Sequence, residues 1–433
     1  MRRRKLVSPG TIPIDPLFRN VTRTLIRDFQ ATLGDYDFST DVLEALNGSD
    51  IKVLRAVKEK GLDYNGESYM FKARYQVNNL DKRYRYHCDV YTDKELEEQA
   101  VRKFQEVQSR LTSLDWDTII HDESMVRILS LARKLCGHVL GPMDAGELRQ
   151  SARFGPGASI GVKASDACLA QRFCLPITGT LEQISWWRSE YDQCPHFQEW
   201  LSELGLSRFS DQAVAYEEVS SLNLTFVPKT FKSLRSIMPN TTIGSYISGG
   251  LGEMIRKRLK EKLKLDIRKL QHQHRELSRV ESMMRTHCTV DLSSASDTIS
   301  RTLAELLLPS DWFQALLLGC SHMVAVPGQP AVEVETFSTM GVGFTFTLQT
   351  LIFYSLIWAV RSVEEYYSRP KGLRRFSTYI SVYGDDLIFG SKLFRPVQEC
   401  LGKLGILVNE DKSFVDVPFR ESCGGDYLCG RDV

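Results

Sequence analysis

The sequence predicts an α+β protein in which a mostly helical N-terminal part precedes a mixed catalytic domain. Three observations carry this. Residues 14–153 are dominated by helical patterning, clearest over 94–104, where Leu96, Ala100, Val101 and Phe104 fall on one face. From about residue 289 the texture changes to short strands, helices and glycine turns, which α/β and α+β catalytic domains share. Within that part, Ser377-Thr378-Tyr379-Ile380-Ser381-Val382 and Leu387-Ile388-Phe389 flank Tyr383-Gly384-Asp385-Asp386, so a hairpin turning at Gly384-Asp385 is expected.

The basic start, Met1-Arg2-Arg3-Arg4-Lys5, leads into no secretory apolar core and reads as a frayed tail or a phosphate contact. Lys82-Arg83-Tyr84-Arg85-Tyr86-His87 interleaves cations with rings, which suits single-stranded nucleic acid and equally an ordinary hairpin surface. Thr92 or Asp93 is placed to cap the 94–104 helix. Phe154-Gly155-Pro156-Gly157-Ala158-Ser159 is a loop, either structural or phosphate-cradling; no Lys-Ser/Thr follows, so it is not a P-loop.

Lys229, Lys232 and Arg235 recur at three-residue spacing in an extended stretch that Pro228 keeps from being helical. Such a row either neutralises a triphosphate or is an exposed basic loop. Residues 252–285 predict one long helix, whose first half is crowded by Arg256, Lys257, Arg258, Lys260, Lys262 and Lys264. That run is a solvated face or the wall of an RNA channel.

Thr289-Val290-Asp291-Leu292-Ser293-Ser294-Ala295-Ser296-Asp297 predicts a strand running into a helix. Asp291 sits at the strand's C-terminal end, a common place for active-site groups in open sheets. Ser293, Ser294 or Ser296 would cap the helix, and Asp297 would favour its first turn. Residues 337–345 form a Gly-x-Gly loop ahead of an apolar helix through Leu351, Phe353 and Trp358. Lys412, in Asn409-Glu410-Asp411-Lys412-Ser413-Phe414, is either solvent-exposed or a proton donor.

Composition narrows little. Lys and Arg total 55 against 54 Asp and Glu over 433 residues, so any basic surface is local. The ten cysteines contain no CxxC pair, and neither Cys168/Cys174 nor Cys423/Cys429 has a common zinc spacing; they are expected as reduced thiols of a cytosolic protein. No membrane span is expected, because the most apolar stretch, 348–360, is interrupted by Gln349, Thr350 and Ser355.

Chemistry concentrates on the paired acids. Adjacent bare carboxylates repel one another, and a hard divalent cation is the usual reason to keep them together, although Gly and Asp are also ordinary turn residues. Asp291 with Asp385 and Asp386 gives three carboxylates from two strands, enough to hold two Mg²⁺ ions together with substrate phosphates.

In order along the chain, Lys229, Lys232 and Arg235, then Asp291 to Asp297, then Ser338-Thr339-Met340-Gly341, then Tyr383-Gly384-Asp385-Asp386, resemble the catalytic subunit of leviviral, Qβ-type RNA phage replicases. Leu306-Leu307-Leu308-Pro309 with Trp312-Phe313, and Pro418-Phe419-Arg420-Glu421-Ser422-Cys423-Gly424, are more specific to that family. The likeness covers residues 226–433 and extends to 154–159. It implies an RNA-dependent RNA polymerase with a right-hand fold and an antiparallel palm sheet. Residues 1–285 would be mainly fingers, 286–425 the palm, and 426–433 the start of a thumb.

By the same resemblance, Asp291 and Asp385 are the main metal ligands, with Asp386 in support. The ion is Mg²⁺, with Mn²⁺ as a substitute. Lys229, Lys232 and Arg235 hold nucleotide phosphates, Asp297 senses the ribose 2′-hydroxyl with help from Ser338 to Gly343, including Gly341, and Lys412 is the general acid. The family acts in the cytoplasm of an infected bacterium with elongation factors Tu and Ts, assisted by a ribosomal RNA-binding protein.

Two departures stand out. Val342 replaces an Asn of the loop, and Thr347 stands where the following helix carries Glu. Family members also continue past Val433, so the chain is expected to be truncated before most of its thumb. A reverse transcriptase and an inactive RNA-binding remnant are the alternative readings. Ser296 and Asp297, standing where a reverse transcriptase has an aromatic gate, favour ribonucleotides.

Overall fold

The computed structural model describes Tyr75, residues 92–168, Arg172, and residues 176–190, 216–230, 233–367 and 379–433. The basic start, the 82–87 patch and Lys232 lie outside the described residues.

Helix α1 (Asp93–Thr112) begins in a capping box: Thr92 Oγ1 accepts from the Glu95 N–H, and the Glu95 carboxylate accepts from the Thr92 N–H at 2.8 Å. Its buried stripe is Leu96, Ala100, Phe104, Val107 and Leu111, steps of three and four residues that face the core. Asp122 caps α2 (Glu123–Leu140). Strands β1 (Thr225–Thr230) and β2 (Ser233–Ile237) form a hairpin that packs on α1. Pro228 lies where the register shifts, which suits a residue with no N–H for a ladder.

The long helix expected over 252–285 is two helices, α3 (Thr242–Leu263) and α4 (Ile267–Met284). Lys264 adopts a left-handed conformation at φ 62°, which ends α3, and Asp266 caps α4. The cations of α3 are largely engaged: Glu253 pairs with Arg256, Glu147 with Arg258 and Lys257, and Asp266 with Lys260.

Strand β3 (His287–Val290) does not run directly into a helix. Leu292 bridges Val408, Ser294 is left-handed at φ 54°, and Ala295–Asp297 forms a single 3₁₀ turn. Helix α5 (Arg301–Leu307) is capped by Ser300, not by the expected Ser293, Ser294 or Ser296. Tertiary pairing of the segment after Asp291 overrides the local capping signal.

Helix α6 (Thr345–Tyr367) passes for a membrane-crossing helix by length and composition alone. It is a core helix: 72% of its most apolar window is buried, and it packs on α2, α3 and a three-stranded sheet. That sheet has β5 (Asp386–Gly390) at its centre, between β3 and β4 (Ile380–Tyr383), all antiparallel. Helix α7 (Phe394–Lys403) follows and packs on α6.

A second antiparallel sheet, β6 (Phe419–Ser422), β7 (Gly425–Leu428) and β8 (Arg431–Asp432), closes the described chain. Buried Arg420 ties it to β3 by donating to the carbonyls of His287, Val415, Val417 and Phe419. One apolar cluster runs from Ile119 to Ile406, so the helices before β3 and the sheet after it share a core. Seven cysteines are free thiols among the described residues.

Candidate active site

Strands β4 and β5 pair Tyr383 with Asp386, which leaves Gly384-Asp385 as the turn. Gly384 takes φ 63° and Asp385 keeps the usual negative φ, the pattern of a type II′ turn. The tip is clamped onto α6. The Gly384 N–H donates to Thr350 Oγ1 at 3.0 Å, and the Phe346 ring meets Tyr383 edge-on at 4.7 Å between centroids. A Cβ on Gly384 would stand 2.3 Å from the Phe346 ring.

Asp291 follows β3, and the Leu387–Val290 pairing brings it beside the hairpin tip. Asn409 Nδ2 donates to Asp291 Oδ2 at 2.7 Å, and the Asn409 N–H donates to the Asp291 carbonyl at 2.8 Å. Burial, together with repulsion from Asp385 and Asp386, pushes the Asp291 carboxyl up to about 6, despite the opposing pull of Lys412 and Asn409. Asp386 is also raised, first by burial and then by Asp385. Its Oδ1 accepts from Ser422 Oγ at 3.0 Å and the Cys423 N–H at 3.1 Å; among the described residues its Oδ2 has only the Cys423 thiol, at 3.4 Å.

These acids line a cavity of about 560 Å³ whose other lining groups include Lys103, Lys229, Arg235 and Lys412. Lys229 and Arg235 come from the β1–β2 hairpin, and Lys103 from the polar face of α1. Desolvation in the cavity, then Arg235, Lys103 and Lys412, hold the Lys229 ammonium below its usual range, although the residue as a whole is exposed. Cations gathered around one cavity leave a field that favours a multiply charged anion. Lys412 moves the other way. Burial alone would lower it, but Glu421, 3.3 Å away, and Asp291 and Asp386 raise it.

Asp297 also lines the cavity, and burial pushes its carboxyl up to about 7 against the pull of Lys103. Its carbonyl accepts from Thr336 Oγ1, which in turn accepts from Gln108 of α1. The 338–343 loop borders two cavities. Met340 lines the cavity, whereas Ser338 is buried with no partner for its hydroxyl among the described residues. Gly341, at φ 122°, lies so close to Met238 that a Cβ would be 2.4 Å from its carbonyl oxygen. It faces a neighbouring cavity of about 340 Å³ with Arg153 and Arg172.

No group of three or more His, Cys, Asp or Glu side chains is assembled to hold a metal by itself among the described residues. The donor set nevertheless fits a small hard cation. Mg²⁺ is characteristically held by one or two carboxylates and completed by substrate phosphates and water, not by an all-protein cage. Asp291 and the exposed Asp385 supply two carboxylates, and Asp386 Oδ2 a third oxygen, in a cavity that cations also line.

Lys103, Asn409, Glu421 and the Ser422-Cys423 pair had no assigned role in the sequence. Lys103 had a signal, a cation on the polar side of a clear amphipathic helix. The other four act through contacts more than 30 residues apart, except Lys412–Glu421, which is nine apart.

A model of the RNA replicase beta-chain family matches residues 37–433. The chain belongs to that family. RNA replicase beta-chain relatives include the RNA-directed RNA polymerase beta chains of Enterobacteria phage fr, 31% identical, and Escherichia phage MS2, 30% identical. Each alignment covers 77% of this chain and 58% of the relative. The RNA-directed RNA polymerase subunit beta of Escherichia virus Qbeta is 32% identical over 70% of this chain and 48% of its own length. The chain thus spans about half the length of the curated replicase relatives it matches.

Among solved structures, the RNA-dependent RNA polymerase of BmCPV in its elongation state gives a TM-score of 0.41 at 11% identity, covering 71% of this chain and 28% of that one. That of a human picobirnavirus gives 0.32 at 11% identity, covering 45% and 40%.

Proposed function

We propose that this replicase beta-chain segment carries the nucleotidyl-transfer centre of a phage RNA-dependent RNA polymerase, joining ribonucleoside triphosphates on an RNA template. The observation that carries the reading is the single cavity that joins Asp291, Asp385 and Asp386 to Lys229 and Arg235. Negative groups that can hold divalent ions and positive groups that can hold a triphosphate are both needed for in-line phosphoryl transfer.

Asp291 and Asp385 are the ligand pair, with Asp386 in support. Bound Mg²⁺, or Mn²⁺ in its place, supplies charge neutralisation and an acidified attacking hydroxyl. Lys229, Arg235 and the family-implied Lys232 hold the nucleotide phosphates and keep the α-phosphate in line with a 3′-hydroxyl. Lys412, held protonated by its acidic neighbours, gives its proton to the departing pyrophosphate. Asp297, which also lines the cavity, accepts from or donates to the ribose 2′-hydroxyl. Ser338 and Gly341 belong to the loop that places Met340 at the cavity, and through that loop they help Asp297 select the ribose.

The arrangement is that of a right hand: 1–285 mainly fingers, 286–425 palm, and 426–433 the start of the thumb. The partners are RNA template and product, with elongation factors Tu and Ts and a ribosomal RNA-binding protein, in the cytoplasm of an infected bacterium. The test is extension of a primed RNA with Mg²⁺, with and without the elongation factors. Asp385→Asn is expected to cut incorporation about 10³-fold with the melting temperature unchanged. A folded Asp385→Asn protein that extends at the native rate overturns the assignment.

A further inference from the structure

His274 of α4 is completely buried between the two sheets and carries no role in the chemistry so far. Its Nε2 lies 2.8 Å from Ser381 Oγ on β4, and its Nδ1 lies 3.0 Å from Ser422 Oγ at the end of β6. Ser422 Oγ is in turn 3.0 Å from Asp386 Oδ1. Ser381 and Ser422 are each 1% exposed, so no solvent competes for these contacts.

The hydrogens along this chain can be assigned by elimination. An ionised carboxylate only accepts, so the single Ser422 hydroxyl hydrogen goes to Asp386. Ser422 Oγ must then accept from His274, which fixes the proton on Nδ1. Nε2 is left as an acceptor and takes the Ser381 hydroxyl hydrogen. Burial pushes the imidazole down to about 4, so one neutral tautomer persists across the working range. Every donor in the chain points the same way, from β4 through α4 and β6 to the carboxylate.

We propose that His274 is a positioning residue that, through Ser422, orients the Asp386 carboxylate so that Oδ1 is occupied by protein donors and Oδ2 is turned to the metal site. This rests on the reading of Asp291, Asp385 and Asp386 as the metal-binding acids. The arrangement has the logic of metal sites in which an outer hydrogen bond fixes a ligand oxygen, where losing the outer partner weakens metal binding about 10–100-fold. The thiol of Cys423 and its N–H hold the same carboxylate from the next residue, so Ser422 and His274 set its rotation and not its presence.

The test compares two amides that each keep one half of the imidazole. Asn places an N–H where Nδ1 stands and keeps the donor to Ser422; Gln reaches the Nε2 position and keeps only the contact to Ser381. Mn²⁺ binding to the purified chain is followed by loss of the free-ion paramagnetic resonance signal, alongside melting temperature. His274→Gln is expected to weaken Mn²⁺ about ten-fold, Ser422→Ala by a similar factor, and the double variant no further. His274→Asn is expected to bind within about two-fold of wild type.

Equal weakening by Asn and Gln, tracking a common drop in melting temperature, assigns His274 to packing and overturns the inference. So does a folded His274→Gln that binds as wild type does. If wild type shows no Mn²⁺ binding that Asp385→Asn removes, the metal reading itself fails, and the inference falls with it. The Asp385→Asn control therefore separates the two failures.

Discussion

The acidic and basic sides of the cavity are built to different standards. The acids hang from a sheet in which Thr289, Val382, Leu387, Ile388 and Phe389 are completely buried, and the turn that bears Asp385 is clamped by Phe346 and Thr350. Lys229 and Arg235 project from a two-stranded hairpin with an irregular register and Lys103 from α1, and all three are exposed. An ion held by two or three carboxylates requires their oxygens within a few tenths of an ångström. A triphosphate brings its own flexibility and strong charge, so long, mobile cations can follow it. Precision is spent where the metal sits and not where the substrate arrives.

Substitutions that break the rigid side should therefore cost most. Beyond loss of the Asp385 carboxylate itself, Gly384→Ala attacks the clamp. Its Cβ meets the Phe346 ring at 2.3 Å, and alanine at φ 63° adds backbone strain. The expected outcome is destabilisation of about 1–3 kcal/mol by denaturant melts and about 10²-fold slower incorporation. Native rates in this variant would show that the tip need not be rigid.

Asp291→Asn tests the same side through stability. Its carboxyl is raised from 3.8 to about 6, so the charged form is disfavoured in the fold. Below the unfolded value both states are protonated and the substitution changes little. From about pH 4 to 6 the native acid costs progressively more, and above 6 the cost is constant at about 3 kcal/mol. The Asn variant should therefore melt higher than wild type at pH 8, with the gain lost by pH 4, while incorporation is abolished. No pH dependence in the difference would show that Asp291 is not held against its charge.

This contrast bears on what the sequence could show. The hairpin was legible because Gly384-Asp385 between β-forming runs is a local signal, and α1 because its cap and stripe lie within one segment. Asp291 was legible as an acid at a strand end. The break at Lys264 was not, because a lysine in a left-handed turn has no marking in a run of helix-forming cations. Nor were Asn409, Ser422 and His274, whose partners lie 118, 36 and 107 residues away and meet only when distant segments pack on the sheet of β3, β4 and β5. The capping signal in 293–296 misled because pairing of Leu292 with Val408 outweighs a cap of about 1 kcal/mol.

On the basic side the effects should be smaller and of a different kind. Lys229→Ala and Arg235→Ala remove charge without disturbing a buried group. Each is expected to raise the KM for nucleotide about ten-fold with kcat within about two-fold, and to leave the melting temperature unchanged. A fall in kcat with KM unchanged would mean that these cations are aligned for the transition state as tightly as the acids are for the metal.

Arg235→Lys has the smallest expected effect and sharpens the comparison most. Lysine keeps the charge and loses the planar fork that grips two phosphate oxygens at once. A side of the cavity that works as a field should tolerate this, with KM rising no more than about three-fold and the dependence on ionic strength unchanged. A side that works as a shaped pocket should not, and the lysine variant would then resemble alanine. Arg235 stands opposite Val227 on an exposed hairpin and makes none of the side-chain hydrogen bonds that fix Asp291 or Asp386. With no hydrogen bond or ion pair holding the guanidinium among the described residues, the fork has little to add to the charge, and lysine should serve nearly as well.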